Sequence, residues 1–141
     1  MSALKRFTAI VFLLLIIWSV HGQEIETILA DFSKKHNLKI TEQKCDTFFT
    51  KKYLLEISQP VDHKGNTDET FTQRVYLSHL DFNRPVVIIT EGYAAGYASN
   101  PRYINELAGL MNANQVCVEH RYFGKSVPTS REWDFLTIEN A

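Results

Sequence analysis

The amino-acid sequence predicts an α/β fold in which an antiparallel hairpin is followed by a parallel βαβ unit. Two observations support this prediction. Residues 86–89 form an apolar, β-branched run, which is typical of a strand buried on both faces. A segment with helical spacing follows, and then a second short apolar strand at residues 116–118. Because a strand, a helix and a strand of this length form a crossover, the two strands are expected to be parallel neighbours.

The elements before and inside this unit are predicted from the same kinds of pattern. Residues 24–37 have apolar side chains on one helical face and two lysines near the end, where cations favour the helix dipole. Residues 47–58 and 71–80 are rich in β-forming residues, and the turn-rich segment between them predicts an antiparallel hairpin. In the crossover, Asn100 is expected to cap the helix and Pro101 to occupy its first position.

The N-terminus has the three parts of a secretory signal peptide. Lys5 and Arg6 precede an apolar run at residues 7–20, and a small residue then offers a cleavage site. The run is short for a full membrane span, which disfavours a membrane anchor. The sequence therefore predicts a signal peptide at residues 1–22 and a secreted or periplasmic protein that begins at Gln23, without stable membrane association after cleavage.

Charge and cysteine content exclude some classes of function. The formal net charge of -1 gives no electrostatic reason to expect nucleic-acid binding. Cys45 and Cys117 allow only one intramolecular disulfide, which export would permit. The alternative, that Cys117 is a small buried apolar residue in a strand, is preferred. Neither His63 nor His120 has a second histidine or a cysteine at ligand spacing, so no metal and no cofactor are predicted.

Several motifs resemble those of the secreted bacterial tripeptidyl aminopeptidase family of α/β-hydrolase serine peptidases, which is related to the prolyl carboxypeptidase family. The longest is EHRYFGKSVP, and a strand-end TEGY turn precedes it. In chain order the motifs are QPVDH (59–63), FTQR (71–74), TEGY (90–93), EL (106–107) and EHRYFGKSVP (119–128). The resemblance implies an α/β-hydrolase fold with a helical lid, and acyl transfer by Ser, Asp and His in that chain order.

The resemblance also implies that the catalytic triad is missing from this chain. The nucleophile of such enzymes lies on a G-x-S-x-G elbow, and this sequence contains no such motif. Ser126 and His120 are therefore not assigned as nucleophile and base. The sequence ends at Ala141, where a new helix is expected to begin. We expect residues 23–141 to be the N-terminal portion of a peptidase domain, truncated before the nucleophile elbow, with an incomplete sheet.

Candidate site residues lie at the carboxyl ends of the parallel strands, where ligands bind in open α/β sheets. The resemblance implies that the loop after the first of these strands supplies an oxyanion-hole donor, with Gly92 and Tyr93 as candidates. A plain strand-to-helix turn is the alternative. Glu91 either binds the free ammonium group of a peptide substrate or forms a structural ion pair with Arg121, and the ion pair is preferred.

Three functions follow as hypotheses. The first is a secreted serine exopeptidase that hydrolyses peptide bonds near the N-terminus of short peptides, with the triad outside this chain and peptides as its partners. The second is a secreted esterase or lipase of the same fold. The third is a non-catalytic secreted binding domain. The fold alone does not decide between them.

Overall fold

The computed structural model describes residues 24–130, 133–137 and 140. The predicted signal peptide lies outside these residues. The chain divides into two compact units between His36 and Asn37. In the first unit the structure describes one helix, α1 (Glu24–His36), which confirms the helix predicted there. Asn37 follows it with a left-handed backbone (φ 48°), a conformation that commonly ends helices. No helix in the described part of the chain is long and apolar enough to cross a bilayer.

The second unit is built on a five-stranded mixed sheet with the strand order β1-β2-β3-β5-β4. The pairs β1/β2, β2/β3 and β3/β5 are antiparallel, and the pair β5/β4 is parallel. The hairpin and the parallel βαβ unit are therefore confirmed, and the fold class is mixed α/β. The elements are β1 (Lys39–Gln43), β2 (Lys51–Pro60), β3 (Thr70–His79), β4 (Val86–Glu91), α2 (Glu106–Met111) and β5 (Asn114–Glu119).

Strand β1 was not predicted from the sequence. Its five residues include only one apolar side chain, Ile40, so they show no strand-like alternation. The strand forms because it lies at an edge of the sheet, pairs with β2 alone and leaves most of its side chains exposed. A cross-strand ion pair supports the register: Lys39 Nζ lies 2.8 Å from Glu56 Oε2, and the two residues are directly paired.

The prediction that β4 is buried on both faces is wrong for the described part of the chain. The strand itself was correctly predicted from its β-branched residues. Val86 and Ile88, however, are 56% and 67% exposed. The exposed residues alternate along β4, so the difference arises because one face of the strand is not covered by another element in the described part of the chain. An apolar run predicts a strand, but its burial depends on the elements that cover it.

The crossover helix α2 begins later than predicted. Asn105, not Asn100, caps it: Oδ1 of Asn105 accepts a hydrogen bond from the backbone N–H of Leu107 at 3.0 Å. Asn100 instead follows a short 3-10 helix (Gly96–Ser99), and its Oδ1 accepts a hydrogen bond from the N–H of Arg102 at 2.9 Å. The side chain of Asn100 therefore closes a turn, which uses the same chemistry as a helix cap.

The loop between β4 and α2 covers one face of the sheet and forms a small core with it. The buried members of this core are Tyr76, Ala95, Ala98 and Cys117. Lys52 of β2 connects the sheet to this loop, because its Nζ donates a hydrogen bond to the carbonyl of Asn100 at 2.7 Å. The Lys52 side chain is buried, and this burial lowers the pKa of its ammonium group. Cys117 is a buried free thiol and Cys45 an exposed one, which agrees with the preferred interpretation of the cysteines.

Candidate functional site

A pocket with a volume of about 480 Å³ opens at the carboxyl ends of β4 and β5, where the sequence places the candidate residues. We call it the edge pocket. Polar and charged side chains from both strands and from the hairpin line it, together with two apolar ones, so it suits a ligand that carries charge and hydrogen-bonding groups. It is lined by Gln59, His63, Phe71, Gln73, Thr90, Glu91, Val118, His120, Arg121 and Asn140.

Glu91 ends β4 and lies directly beside Glu119, its register partner on β5. Its Oε1 accepts a short hydrogen bond from the hydroxyl of Tyr97, which reaches it from the loop after β4. Glu91 thus lines the pocket, Tyr97 fixes its carboxylate from the side of Cys117, and it has no ion-pair partner among the described residues.

The predicted ion pair between Glu91 and Arg121 is wrong. Arg121 lies two residues beyond the position paired with Glu91, and its guanidinium turns toward the end of β2. There it donates hydrogen bonds to the carbonyls of Val61 and Pro60, and its Cζ lies 5.1 Å from the centre of the Phe71 ring. Arg121 is 4% exposed, and among the described residues carbonyl and ring contacts, not a carboxylate, offset the cost of its burial.

Glu119 is the residue that the sequence analysis missed. It is 1% exposed, and its two carboxylate oxygens accept three hydrogen bonds. The donors are Ala95 N–H at 3.0 Å, Lys125 N–H at 3.0 Å and Ser126 Oγ at 2.8 Å. The loops that follow β4 and β5 are therefore joined through one buried carboxylate. A glutamate at the end of an otherwise apolar strand was the sequence signal that could have identified it.

The turn after β5 is shaped to fit around Glu119. Gly124 has a φ of 55° and Tyr122 has a φ of 69°. A Cβ atom at Gly124 would lie 2.2 Å from Glu119 Oε1, which is far inside contact distance. The absence of a side chain at position 124 therefore lets the backbone approach the carboxylate that holds the two loops together.

Gly92 and Tyr93, the oxyanion-hole candidates, follow β4 at the same edge. Gly92 does not have a positive φ, and a Cβ there would meet nothing within 4 Å, so the turn does not require glycine. Tyr93 is 74% exposed, and its ring packs edge-on against Phe123 with 5.3 Å between centroids. The N–H of Tyr93 as an oxyanion donor stays a prediction.

The QPVDH motif forms one wall of the edge pocket. Asp62 is 3% exposed and accepts hydrogen bonds from the N–H groups of Lys64 and Asn66, both at 3.0 Å. These bonds, that of Lys64 first, hold the pKa of Asp62 down at about 2. The N–H of His63 donates to Asn140 Oδ1 at 2.8 Å. The motif therefore builds a rigid turn that places His63 at the pocket.

The histidines of the pocket do not form a metal centre with their neighbours. In the described ranges no group of three or more histidine, cysteine, aspartate or glutamate residues is arranged to hold a metal ion. Nδ1 of His120 lies 2.8 Å from the carbonyl oxygen of Arg121, so this imidazole is engaged with the backbone.

The structure is a mixed α/β fold with a pocket at the carboxyl edge of its parallel strands. The comparison with protein families makes the assignment specific. The family model described as PS-10 peptidase S37 matches residues 30–141, so the chain belongs to this family of serine peptidases. The resemblance to tripeptidyl aminopeptidases and prolyl carboxypeptidases, inferred from the motifs, is confirmed.

Curated relatives match the same region. A prolyl tri/tetrapeptidyl aminopeptidase of Streptomyces mobaraensis is 38% identical over 88 residues, covering 62% of this chain and 18% of the relative. A lysosomal Pro-X carboxypeptidase of Bos taurus is 35% identical over 106 residues, covering 65% and 21%. A probable serine protease of Arabidopsis thaliana is 35% identical over 92 residues, covering 61% and 18%. The chain thus spans about a fifth of the length of these relatives. No solved structure matches the chain significantly.

Proposed function

We propose that this chain is the N-terminal portion of an exported serine exopeptidase that hydrolyses peptide bonds near the N-terminus of short peptides. Membership of the S37 family supports serine peptidase chemistry, and a relative named as an aminopeptidase supports action at the N-terminus. The order of the strands, an antiparallel hairpin feeding a parallel crossover, supports an α/β-hydrolase domain. Peptides are the proposed substrates, with no cofactor and no nucleic acid.

The nucleophile, the acid and the base are proposed to lie outside this chain, in the rest of the full-length protein. Ser126 supports this view because its environment is structural. Its Oγ is fully buried, donates to Glu119 Oε2 at 2.8 Å and accepts from the N–H of Arg74 at 2.9 Å. A serine nucleophile needs a base that takes its proton and an open path to substrate. Ser126 has no open path to substrate among the described residues, and the Glu119 carboxylate that accepts its hydrogen also holds two backbone N–H groups.

Two features at the carboxyl end of β4 are proposed to act on the substrate. Glu91 would bind the free ammonium group of the peptide, and the N–H of Tyr93 would donate to the oxyanion that forms during acyl transfer. The open space beside Gly92 leaves room for a substrate carbonyl to approach this loop. The observation that carries the proposal is the Glu91 side chain: the residue lines the pocket, Tyr97 fixes one of its carboxylate oxygens, and no cation neutralises it in the described part of the chain.

The test uses the full-length protein and matched chromogenic substrates. Tripeptidyl p-nitroanilides with a free N-terminus are expected to be cleaved, and the N-acetylated forms to be cleaved with a much higher KM. A serine-directed phosphonate is expected to abolish both activities. Faster turnover of p-nitrophenyl esters than of any peptide would instead assign an esterase. Absence of both activities, with retained peptide binding, would assign a binding domain.

Export is proposed from residues 1–22, and it has its own test. Secreted protein recovered from a host that exports it is expected to begin at Gln23, which can cyclise to pyroglutamate. Edman sequencing or intact mass after enzymatic removal of pyroglutamate measures this directly. Protein that keeps Met1 and stays in the membrane fraction would overturn the cleavage and favour an anchor.

A further inference from the structure

The Glu91 carboxylate is held from the side of the small core by a tyrosine. The hydroxyl of Tyr97 donates a hydrogen bond to Glu91 Oε1. The same hydroxyl lies 3.8 Å from Cys117 Sγ, and the Tyr97 ring packs edge-on against Tyr103 with 4.8 Å between centroids. Three neighbours thus constrain the Tyr97 side chain, and through it they constrain the carboxylate.

Tyr97 occupies one oxygen of Glu91 and leaves the other available. In the described ranges Oε2 of Glu91 has no hydrogen-bond or ion-pair partner, whereas both oxygens of the neighbouring Glu119 are occupied. Burial, followed by the hydrogen bond to Glu91, raises the pKa of Tyr97. The phenol therefore stays protonated at neutral pH and remains a donor to the carboxylate.

We propose that Tyr97 is a positioning residue that holds Glu91 so that its free oxygen receives the α-ammonium group of a peptide substrate. The inference rests on the proposed function, because it requires a substrate with a free N-terminus. A mobile surface carboxylate binds an ammonium ion weakly, since the side chains lose rotamer freedom on pairing. A carboxylate already fixed by a hydroxyl avoids much of that loss, so the same contact gives tighter binding.

The first experiment compares Tyr97→Phe with the wild-type full-length enzyme on free and N-acetylated tripeptidyl p-nitroanilides. The phenylalanine keeps the ring packed against Tyr103 and removes only the hydroxyl. KM for the free peptide is expected to rise about fivefold to tenfold, less than the loss of a direct hydrogen bond to a charged group would cause, because Tyr97 acts through Glu91. kcat is expected to stay within about twofold, and both constants for the acetylated peptide are expected to stay unchanged.

Glu91 variants make the test independent of folding effects. In the Glu91→Gln background, Tyr97→Phe is expected to cause no further rise in KM, because the two residues act as one unit. Glu91→Asp withdraws the carboxylate from the hydroxyl and keeps the charge, and it is expected to reproduce the selective rise in KM. This variant decides the question if Tyr97→Phe does not fold.

Two outcomes would overturn the inference. One is an equal loss of activity on free and acetylated peptides, which a merely structural role for Tyr97 would cause. The other is a full effect of Tyr97→Phe in the Glu91→Gln background. Wild-type enzyme that does not favour free N-termini would overturn the proposed function and this inference with it. If the wild-type preference exists and neither Tyr97→Phe nor Glu91→Asp changes it, only the inference fails.

Discussion

Replacing Glu119 by glutamine should destabilise the protein strongly, although the change keeps the shape of the side chain. The native carboxylate accepts three hydrogen bonds, from Ala95 N–H, Lys125 N–H and Ser126 Oγ, at 2.8 to 3.0 Å. The amide oxygen of glutamine can replace one acceptor, facing Ala95. Its NH₂ group then faces the other two donors. The serine hydroxyl can rotate to accept, but the backbone N–H of Lys125 cannot, so this donor loses its partner.

The magnitude follows from these contacts. A hydrogen bond to a charged group contributes about 1.5–3 kcal/mol, and an unsatisfied buried donor costs about 1–3 kcal/mol. Glu119→Gln is therefore expected to lower the free energy of unfolding by about 3–5 kcal/mol. Glu91→Gln is the matched control: it is the same substitution at the paired position of β4, where only the Tyr97 hydroxyl is bonded. It is expected to cost about 1 kcal/mol.

Denaturant unfolding of the full-length variants, followed by tryptophan fluorescence, measures both values under identical conditions. The difference between the two variants is the informative quantity, because the loss of one negative charge is common to both. Equal destabilisation of the two variants, or a loss below about 1 kcal/mol for Glu119→Gln, would refute the role of Glu119 as the acceptor that joins the loops.

Three further predictions follow from the same description. Backbone hydrogen bonds, the largest from Lys64, hold the pKa of Asp62 at about 2, whereas its ordinary value is 3.8. The ionised Asp62 carboxylate therefore stabilises the fold above about pH 4, and this stabilisation is lost as the pH falls to about 2. Asp62→Asn is expected to lack this part of the pH dependence, and unfolding midpoints measured from about pH 2 to 6 would show it. Gly124→Ala is expected to lower the unfolding midpoint sharply, because the new Cβ would lie 2.2 Å from Glu119 Oε1 and the φ of this residue is positive. Gly92→Ala is the control: its Cβ would meet nothing within 4 Å, so the midpoint should stay unchanged. Purified residues 23–141 alone are expected to hydrolyse no peptide or ester and to aggregate, because β4 presents exposed apolar side chains at an edge of the described sheet; a sharp unfolding transition of a monomer would contradict this.

Local patterns predicted most of the fold, and contacts distant in sequence explain the errors. The hairpin and the parallel crossover were correct because apolar runs and turn residues mark them directly. Strand β1 was missed because edge pairing, rather than its own apolar residues, makes it a strand. The cap of α2 was misplaced because Asn100 and Asn105 offer the same capping chemistry, and only the turn at Asn100 decides between them.

The location of the candidate site was easier to predict than its contacts. The carboxyl ends of parallel strands identified the edge pocket, which the structure places beside Glu91 and Arg121. The predicted ion pair between these two residues was wrong, because a sequence motif gives no information on the direction of a long side chain. Arg121 donates instead to the carbonyls at the end of β2. The support from Tyr97 could not be predicted, since it depends on how the loop after β4 folds back over the sheet.

The strand order has a consequence for co-translational folding. β4 is synthesised before β5, yet β5 lies between it and β3 in the finished sheet. While only residues up to Ala113 have emerged, β4 therefore lacks its hydrogen-bonding partner, and the loop after it lacks the carboxylate of Glu119. A nascent chain of that length can complete only the antiparallel meander of β1, β2 and β3. Among the described strands, the one that carries Glu91 is the last to find its partner, so its edge stays open to mispairing until β5 has emerged.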